Sequence, residues 1–296
     1  PLSTVSWDES TNIFTDIFKN NIARLNPEID AKEIVNILVD IKLSLDNEDL
    51  GKAVYDMLTT SSRIKLIDYD NFRNNSLHVV TELPYKNGEE EFRPDITLLI
   101  NGLPLCFIEV KKPNNHDGIL AERQRIITRS RNPHFRRFIN ITQLMVFSNN
   151  MEYCDGSPDP LEGAFYACSS YNEPKLNYFR EEEVLDLDVL LNEENHTIED
   201  IILQDNNLSS IKYSPEFITN KSQNSPTNRI CTSLFSPERL AFMLQYSMTY
   251  LQDVDGPQKH VMRYSQFFAT KAIANKLDSG VRKGIIWHTQ GSGKTA

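Results

Sequence analysis

Residues 94–112 read PDITLLINGLPLCFIEVKK, and the fold turns on this stretch. Leu103 to Val110 is rich in large apolar residues, the composition of a buried strand. The ITLLI run before it reads as a second strand, and Asn101-Gly102 between them is a strong hairpin signal. Yet the apolar run ends in Glu109, Lys111 and Lys112. Removing a charge from water costs several kcal/mol unless the group is paired, hydrogen-bonded or bound to a metal. Glu109 and Lys111 therefore need a reason to be there.

Side chains two apart on a strand share a face, so Glu109 and Lys111 point together while Ile108 and Val110 face away. Register decides whether Asp95 joins them. A regular ladder from a two-residue turn at Asn101-Gly102 pairs Ile100 with Leu103 and Asp95 with Ile108, which puts the two acids on opposite faces. A connection from Asn101 to Leu103 pairs Asp95 with Glu109 instead. The expectation is that odd connection, or a bulge with the same effect. Asp95 and Glu109 would then supply hard oxygen ligands for Mg²⁺, which usually takes one or two carboxylates. Such an ion polarises a phosphodiester and lowers the pKa of a bound water. Lys111 on the same edge can orient that water and offset charge in the transition state. The same three groups can also form a structural ion pair at a strand end.

Upstream, TNIFTDIFKNNIARL, AKEIVNILVDIKLSL and DLGKAVYDMLTTS carry apolar residues at helical spacing. RIKLIDYDNFRNNSLHVVTELPY turns to short β-like runs. Downstream, GILAERQRIITRSR resumes a helical pattern, NITQLMVFSNN reads as an apolar strand and GAFYACSSY as a further one. Helices flanking a small mixed sheet make an α/β domain. From about Glu181 the chain is acidic and then holds three Ser-Pro pairs, the texture of a connector with some helix. SPERLAFMLQYSMTYL and SQFFATKAIANKLDSG read as helices and KGIIWHT as a strand.

A length of 296 residues predicts two domains, and 40% hydrophobic with 9% aromatic residues is an ordinary globular composition. No apolar run reaches membrane-spanning length, and PLSTVSWDES is not a signal peptide. The four cysteines are far apart without a CxxC pair, which argues against zinc and predicts reduced thiols in a cytoplasm. A start without Met and an end at TQGSGKTA predict a fragment. The net charge of −10 excludes a generally basic nucleic-acid binder. Residues 123–137 nevertheless hold six arginines and one histidine with no acid, either a local phosphate-binding surface that includes Arg136 and Arg137 or a solvated helix face.

The last residues, GIIWHTQGSGKTA, read as a strand followed by a phosphate-binding loop. Backbone N–H groups of such a loop cradle phosphates at a helix N-terminus. Gly291, Ser292 and Gly293 would form the cradle, Lys294 would reach the β- and γ-phosphates of ATP, and Thr295 would hold Mg²⁺.

Two resemblances follow. RPDITLLINGLPLCFIEVKKP resembles the PD-(D/E)xK nuclease motif of the R (HsdR) subunit of type I restriction enzymes, with Asp95, Glu109 and Lys111 on the motif positions. That family's following helix carries a Gln-x-x-x-Tyr element. Gln124 fits the glutamine as a further catalytic residue, while Thr128 stands where the tyrosine is expected. The closing loop resembles that of superfamily 2 helicases and translocases, with His288 in place of the first glycine. VMRYSQFFATKAI resembles their Q-motif region, which gives Gln266 the role of reading adenine. The resemblance implies a restriction-endonuclease-like nuclease domain at 1–180, an acidic, Ser-Pro-containing linker region with helices at 181–258, and the start of a RecA-like ATPase domain at 259–296. It also implies Mg²⁺ and ATP as cofactors. The implied activity is cleavage of double-stranded DNA coupled to translocation, in company with specificity (S) and methyltransferase (M) subunits. The alternative is a helicase or translocase fragment whose front domain is a non-catalytic partner-binding module.

Overall fold

The computed structural model describes residues 5–60, 63–113, 118–153, 162–191, 195–254 and 256–287. The chain opens with α1 (Thr15–Leu25), α2 (Ala31–Ser44) and α3 (Lys52–Thr59). In α2, Ile34, Ile37, Leu38 and Ile41 form one buried stripe, and the Asp30 side chain caps the start by accepting from the Glu33 N–H at 2.7 Å. The strands β1 (Leu77–Thr81), β2 (Tyr85–Asn87), β3 (Glu90–Phe92), β4 (Ile96–Ile100) and β5 (Leu103–Val110) follow. Helices α4 (Gly118–Ser130) and α5 (Arg136–Ile141) then cross over to β6 (Leu144–Ser148). Next come β7 (Ala164–Ala167) and β8 (Asn177–Tyr178).

These strands form a six-stranded sheet in the order β1-β4-β5-β6-β7-β8, while β2 and β3 pair separately. β5 and β6 run parallel and every other neighbouring pair is antiparallel, so the sheet is mixed, as expected. The single parallel pair is made by the α4–α5 crossover, which parallel strands require. One face, with Cys106, Ile108 and Val146, packs on α1 to α3. The other, with Phe107, Phe147 and Phe165, packs on Ile119 and Ile126 of α4 and Phe138 of α5.

The hairpin between β4 and β5 is the tight one: Asn101 and Gly102 both take left-handed backbone, at φ 51° and 84°. Asn101 is buried and donates to the Leu66 carbonyl at 2.8 Å. A Cβ on Gly102 would lie 2.6 Å from the Phe14 carbonyl oxygen. Gly102→Ala is therefore expected to lose about 2 kcal/mol of stability, from left-handed strain and the clash together. A lowered urea midpoint with an unchanged m-value is the measurement, and an unshifted midpoint would refute it.

The C-terminal part is helical, as expected, but departs from the expectations at two places. It contains α6 (Leu187–Leu190), α7 (His196–Asp205), α8 (Pro215–Asn220), α9 (Pro226–Leu234) and α10 (Pro237–Tyr246). Within the expected helix-containing connector, each Ser-Pro pair starts a helix: Ser214, Ser225 and Ser236 are N-caps, with proline just inside. Proline suits that position because its missing N–H has no partner there anyway. The helix expected through Leu251 ends at Tyr246, and a hairpin of β9 (Met248–Asp253) and β10 (Gly256–Val261) replaces its end. Last is α11 (Tyr264–Asp278). Ile230, Leu240, Met243, Phe267 and Phe268 belong to the same apolar cluster as Ile108 and Val146, so α9 to α11 pack on the sheet.

The strand expected over KGIIWHT is not formed among its described residues, and Ile285 and Trp287 are exposed. A strand needs a neighbour to take its hydrogen bonds, and the described residues provide none. The residues of the expected phosphate-binding loop, Gly291 to Thr295, with His288, lie outside the described residues. The part of the expected RecA-like start at 259–296 that is described holds the end of β10 and α11, with no strand leading into the loop. No helix among the described residues is long and apolar enough to cross a membrane.

Candidate functional site: a carboxylate–lysine cluster at the end of β5

The hairpin starts with the even register, Ile100 opposite Leu103 and Leu99 opposite Pro104. A bulge then intervenes, and beyond it Leu98 pairs with Cys106, Thr97 with Phe107 and Ile96 with Ile108. Leu105 is the extra residue. It is fully buried, in the same apolar cluster as Cys106. Continuing this register brings Asp95 opposite Glu109, the outcome that the shared-face argument requires. Asp95 closes the edge by accepting the Val110 N–H on Oδ2 at 2.6 Å.

Lys111 lies at the centre. Its Nζ is 3.1 Å from Glu109 Oε2, 3.3 Å from Glu122 Oε2 and 3.9 Å from Asp95 Oδ2. The cluster sits where β5 and β6 end together, since Glu109 lies beside Phe147 and the Lys111 N–H continues the pairing to the Ser148 carbonyl at 2.7 Å. Crevices at the carboxyl ends of parallel strands are habitual ligand sites. Asp95 is partly exposed, at 34% of its side chain, and Glu109 almost wholly buried, at 4%. Burial, then the charges of Glu122 and Asp95, push the Glu109 carboxyl up to about 7, with Lys111 opposing them. Burial works to lower the Lys111 pKa, but the carboxylates around it outweigh burial and hold it above the usual lysine value. The lysine is thus firmly cationic, and the strained member is Glu109.

Glu122 was not anticipated. It stands on α4 with its side chain 3% exposed, and accepts from Arg125 Nη1 at 3.0 Å and Arg129 Nη1 at 3.1 Å. Arg129 in turn lies 3.7 Å above the ring of Phe92. The sequence carried a signal: Ile119, Glu122 and Ile126 recur at helical spacing, so an acid occupies the buried stripe. Gln124 is placed differently from the expectation. It is exposed, two positions past Glu122 and hence on the opposite side of the helix, and so is not brought to the cluster. The arginine-rich stretch is largely engaged: Arg123 pairs with Glu173, Arg136 with Glu48 at 2.8 Å and Arg137 with Asp46 at 2.7 Å. Gln266 caps α11, its Oε1 accepting the Arg263 N–H at 2.8 Å.

Whether a divalent ion suits this donor set can be judged from Glu109. Its Oε1 is buried and meets no hydrogen-bond partner among the described residues. A buried carboxylate oxygen left this way is costly, and a cation between Asp95 and Glu109 would satisfy it. No group of three or more His, Cys, Asp or Glu side chains among the described residues is arranged to hold an ion, which leaves Asp95 and Glu109 as the pair of carboxylates that could offer oxygens to one.

Fold and site together define a mixed α/β domain with two acids and a lysine converging at a strand end. Residues 4–157 match the family model for the type I restriction enzyme R protein N terminus, and residues 265–296 match that for SWI2/SNF2 ATPases. The chain belongs to the type I restriction enzyme R protein N-terminus family. Among its relatives is a Methanocaldococcus jannaschii protein provisionally described as the type I restriction enzyme MjaVIIP endonuclease subunit, 27% identical over 79% of this chain and 18% of the relative. Another is the type I restriction enzyme HindI endonuclease subunit of Haemophilus influenzae, 22% identical over 97% of this chain and 26% of the relative. The chain therefore spans only about a fifth to a quarter of the length of these relatives.

Proposed function

We propose that this chain is the nuclease-bearing N-terminal part of a type I restriction R subunit that cuts double-stranded DNA with Mg²⁺. The observation that carries this reading is the bulge-shifted register, which sets Asp95 opposite Glu109 with Lys111 alongside. Asp95 and Glu109 would hold the ion, which when bound polarises the phosphodiester and activates water. Lys111 would place its ammonium beside the scissile phosphate, where a preorganised positive charge stabilises the transition state. The division into a nuclease domain at 1–180, a helical linker region at 181–258 and an ATPase start from 259 belongs to the same proposal. So do ATP at the loop of Gly291 to Thr295 with Gln266 near the adenine, coupling to translocation, S and M subunits as partners, and a cytoplasmic setting. The family match and the relatives named as endonuclease subunits support it.

The test is plasmid linearisation by the full-length protein assembled with its partner subunits. Lys111→Met is expected to slow cutting about 100-fold, the scale of losing one electrostatic contact to a transition state, with ATP turnover unchanged. Unaltered cutting would favour the alternative of a partner-binding front domain.

A further inference from the structure

The cluster holds one more acid than a two-carboxylate ion site needs, and that acid is the most firmly fixed of the three. Glu122 is clasped by Arg125 and Arg129 and flanked on its buried stripe by Ile119 and Ile126. Lys111, by contrast, has three anions to choose among, at 3.1, 3.3 and 3.9 Å. A divalent ion taken up on the open Glu109 Oε1 beside Asp95 would compete with Lys111, which sits on Oε2, for the charge of that one carboxylate, and would repel its ammonium. The nearest anion outside that pair is Glu122.

We propose that Glu122 is a positioning residue that seats Lys111 when a divalent ion binds, so that the lysine yields Glu109 to the ion without leaving the site. This rests on the metal-site reading above and goes beyond it by assigning the third acid. With Glu122 present, Lys111 keeps a salt bridge in both states, and the ion displaces it at little cost. Without that charge, Lys111 would cling to Glu109 and compete with the ion. A merely structural Glu122, pinning α4 through its arginines, predicts no effect on ion binding. A simple field effect of the carboxylate predicts the same effect whether or not Lys111 is there. The two alternatives are separable by a double-mutant cycle.

The experiment is Mn²⁺ binding to the full-length protein, followed by the loss of the free-ion paramagnetic resonance signal. Wild type is expected to bind and Asp95→Ala to lose the site. Glu122→Gln should weaken binding about tenfold, mid-range for coupling between contacting residues. In a Lys111→Met background the same change should alter binding less than about twofold. Equal weakening in both backgrounds, or none in either, overturns the proposal while leaving the metal site standing. Indistinguishable binding by wild type and Asp95→Ala overturns both. Glu122→Asp keeps the charge but draws it back by one methylene. It should give a smaller shift, about threefold, and it carries the test if Glu122→Gln fails to fold by near-ultraviolet circular dichroism.

Discussion

Asp95→Asn in the full-length, assembled protein is expected to reduce plasmid cutting at least about 1,000-fold, a loss of about 4 kcal/mol of transition-state stabilisation. The substitution is nearly isosteric. An asparagine oxygen can still accept the Val110 N–H that Asp95 holds at 2.6 Å, so the end of the β4–β5 pairing should persist. Lys111 keeps Glu109 and Glu122 at 3.1 and 3.3 Å, so the cluster loses a charge but not its lysine. What is removed is one of two anions facing a site for a hard divalent cation, which a neutral amide serves poorly. ATP turnover and translocation should survive, because the residues proposed for them are remote in sequence. Cutting within tenfold of wild type would mean that the cluster is an ion-pair network with no part in the chemistry.

The need for this convergence was legible in the sequence, with a bulge as one of two devices that could produce it, but the place of the bulge was not. Counting from Asn101-Gly102 shows that a regular hairpin would separate the acids, so one residue must be absorbed somewhere. The location is hidden because Leu105 and Cys106 are both apolar and both face one cluster, and an unbroken apolar run conceals a change of register. Glu122 was concealed in another way. Its spacing from Ile119 and Ile126 marks it as inward-facing only once the buried side of α4 is known. The Ser-Pro pairs show a local signal with two readings. Proline forbids helix interiors but favours the first turn, and in each case the following residues continued into a helix. KGIIWHT shows the limit of local propensity, since β-branched residues favour a strand only where another strand accepts their backbone.

Arg239→Met is expected to lose about 3 kcal/mol of stability, the low end for breaking a buried ion pair by removing one partner. Arg239 is only 2% exposed, yet it carries a full charge. Its Nη2 reaches Glu181 at 2.8 Å and Glu183 at 2.7 Å, its Nη1 also pairs with Glu181, and its guanidinium lies 5.3 Å from the Phe268 ring centre. Lys271 of α11 adds a bridge to Glu183 at 3.1 Å. The network fastens the segment after β8 to α10 and α11. Methionine fills much of the volume but leaves Glu183 with Lys271, and Glu181 with Ser233 and the Glu183 N–H, and their partial exposure lets water recover part of the loss. The pH dependence identifies the cause. Burial works to raise both carboxyls, but Arg239, joined by Ser233 and the Glu183 N–H at Glu181 and by Lys271 at Glu183, outweighs it and holds each below the usual glutamate range. Acids depressed in this way contribute stability above their unfolded-state pKa, and lose it as the pH falls through the folded-state value. The gap between wild type and Arg239→Met in urea midpoint should therefore be widest near neutrality and narrow as the pH is taken below about 4. Adding Glu181→Gln and Glu183→Gln to Arg239→Met should recover part of the loss, because no charge is then left stranded. A gap that stays constant from pH 7 to about 3 would show that Arg239 acts through packing on Phe268, with its carboxylates incidental.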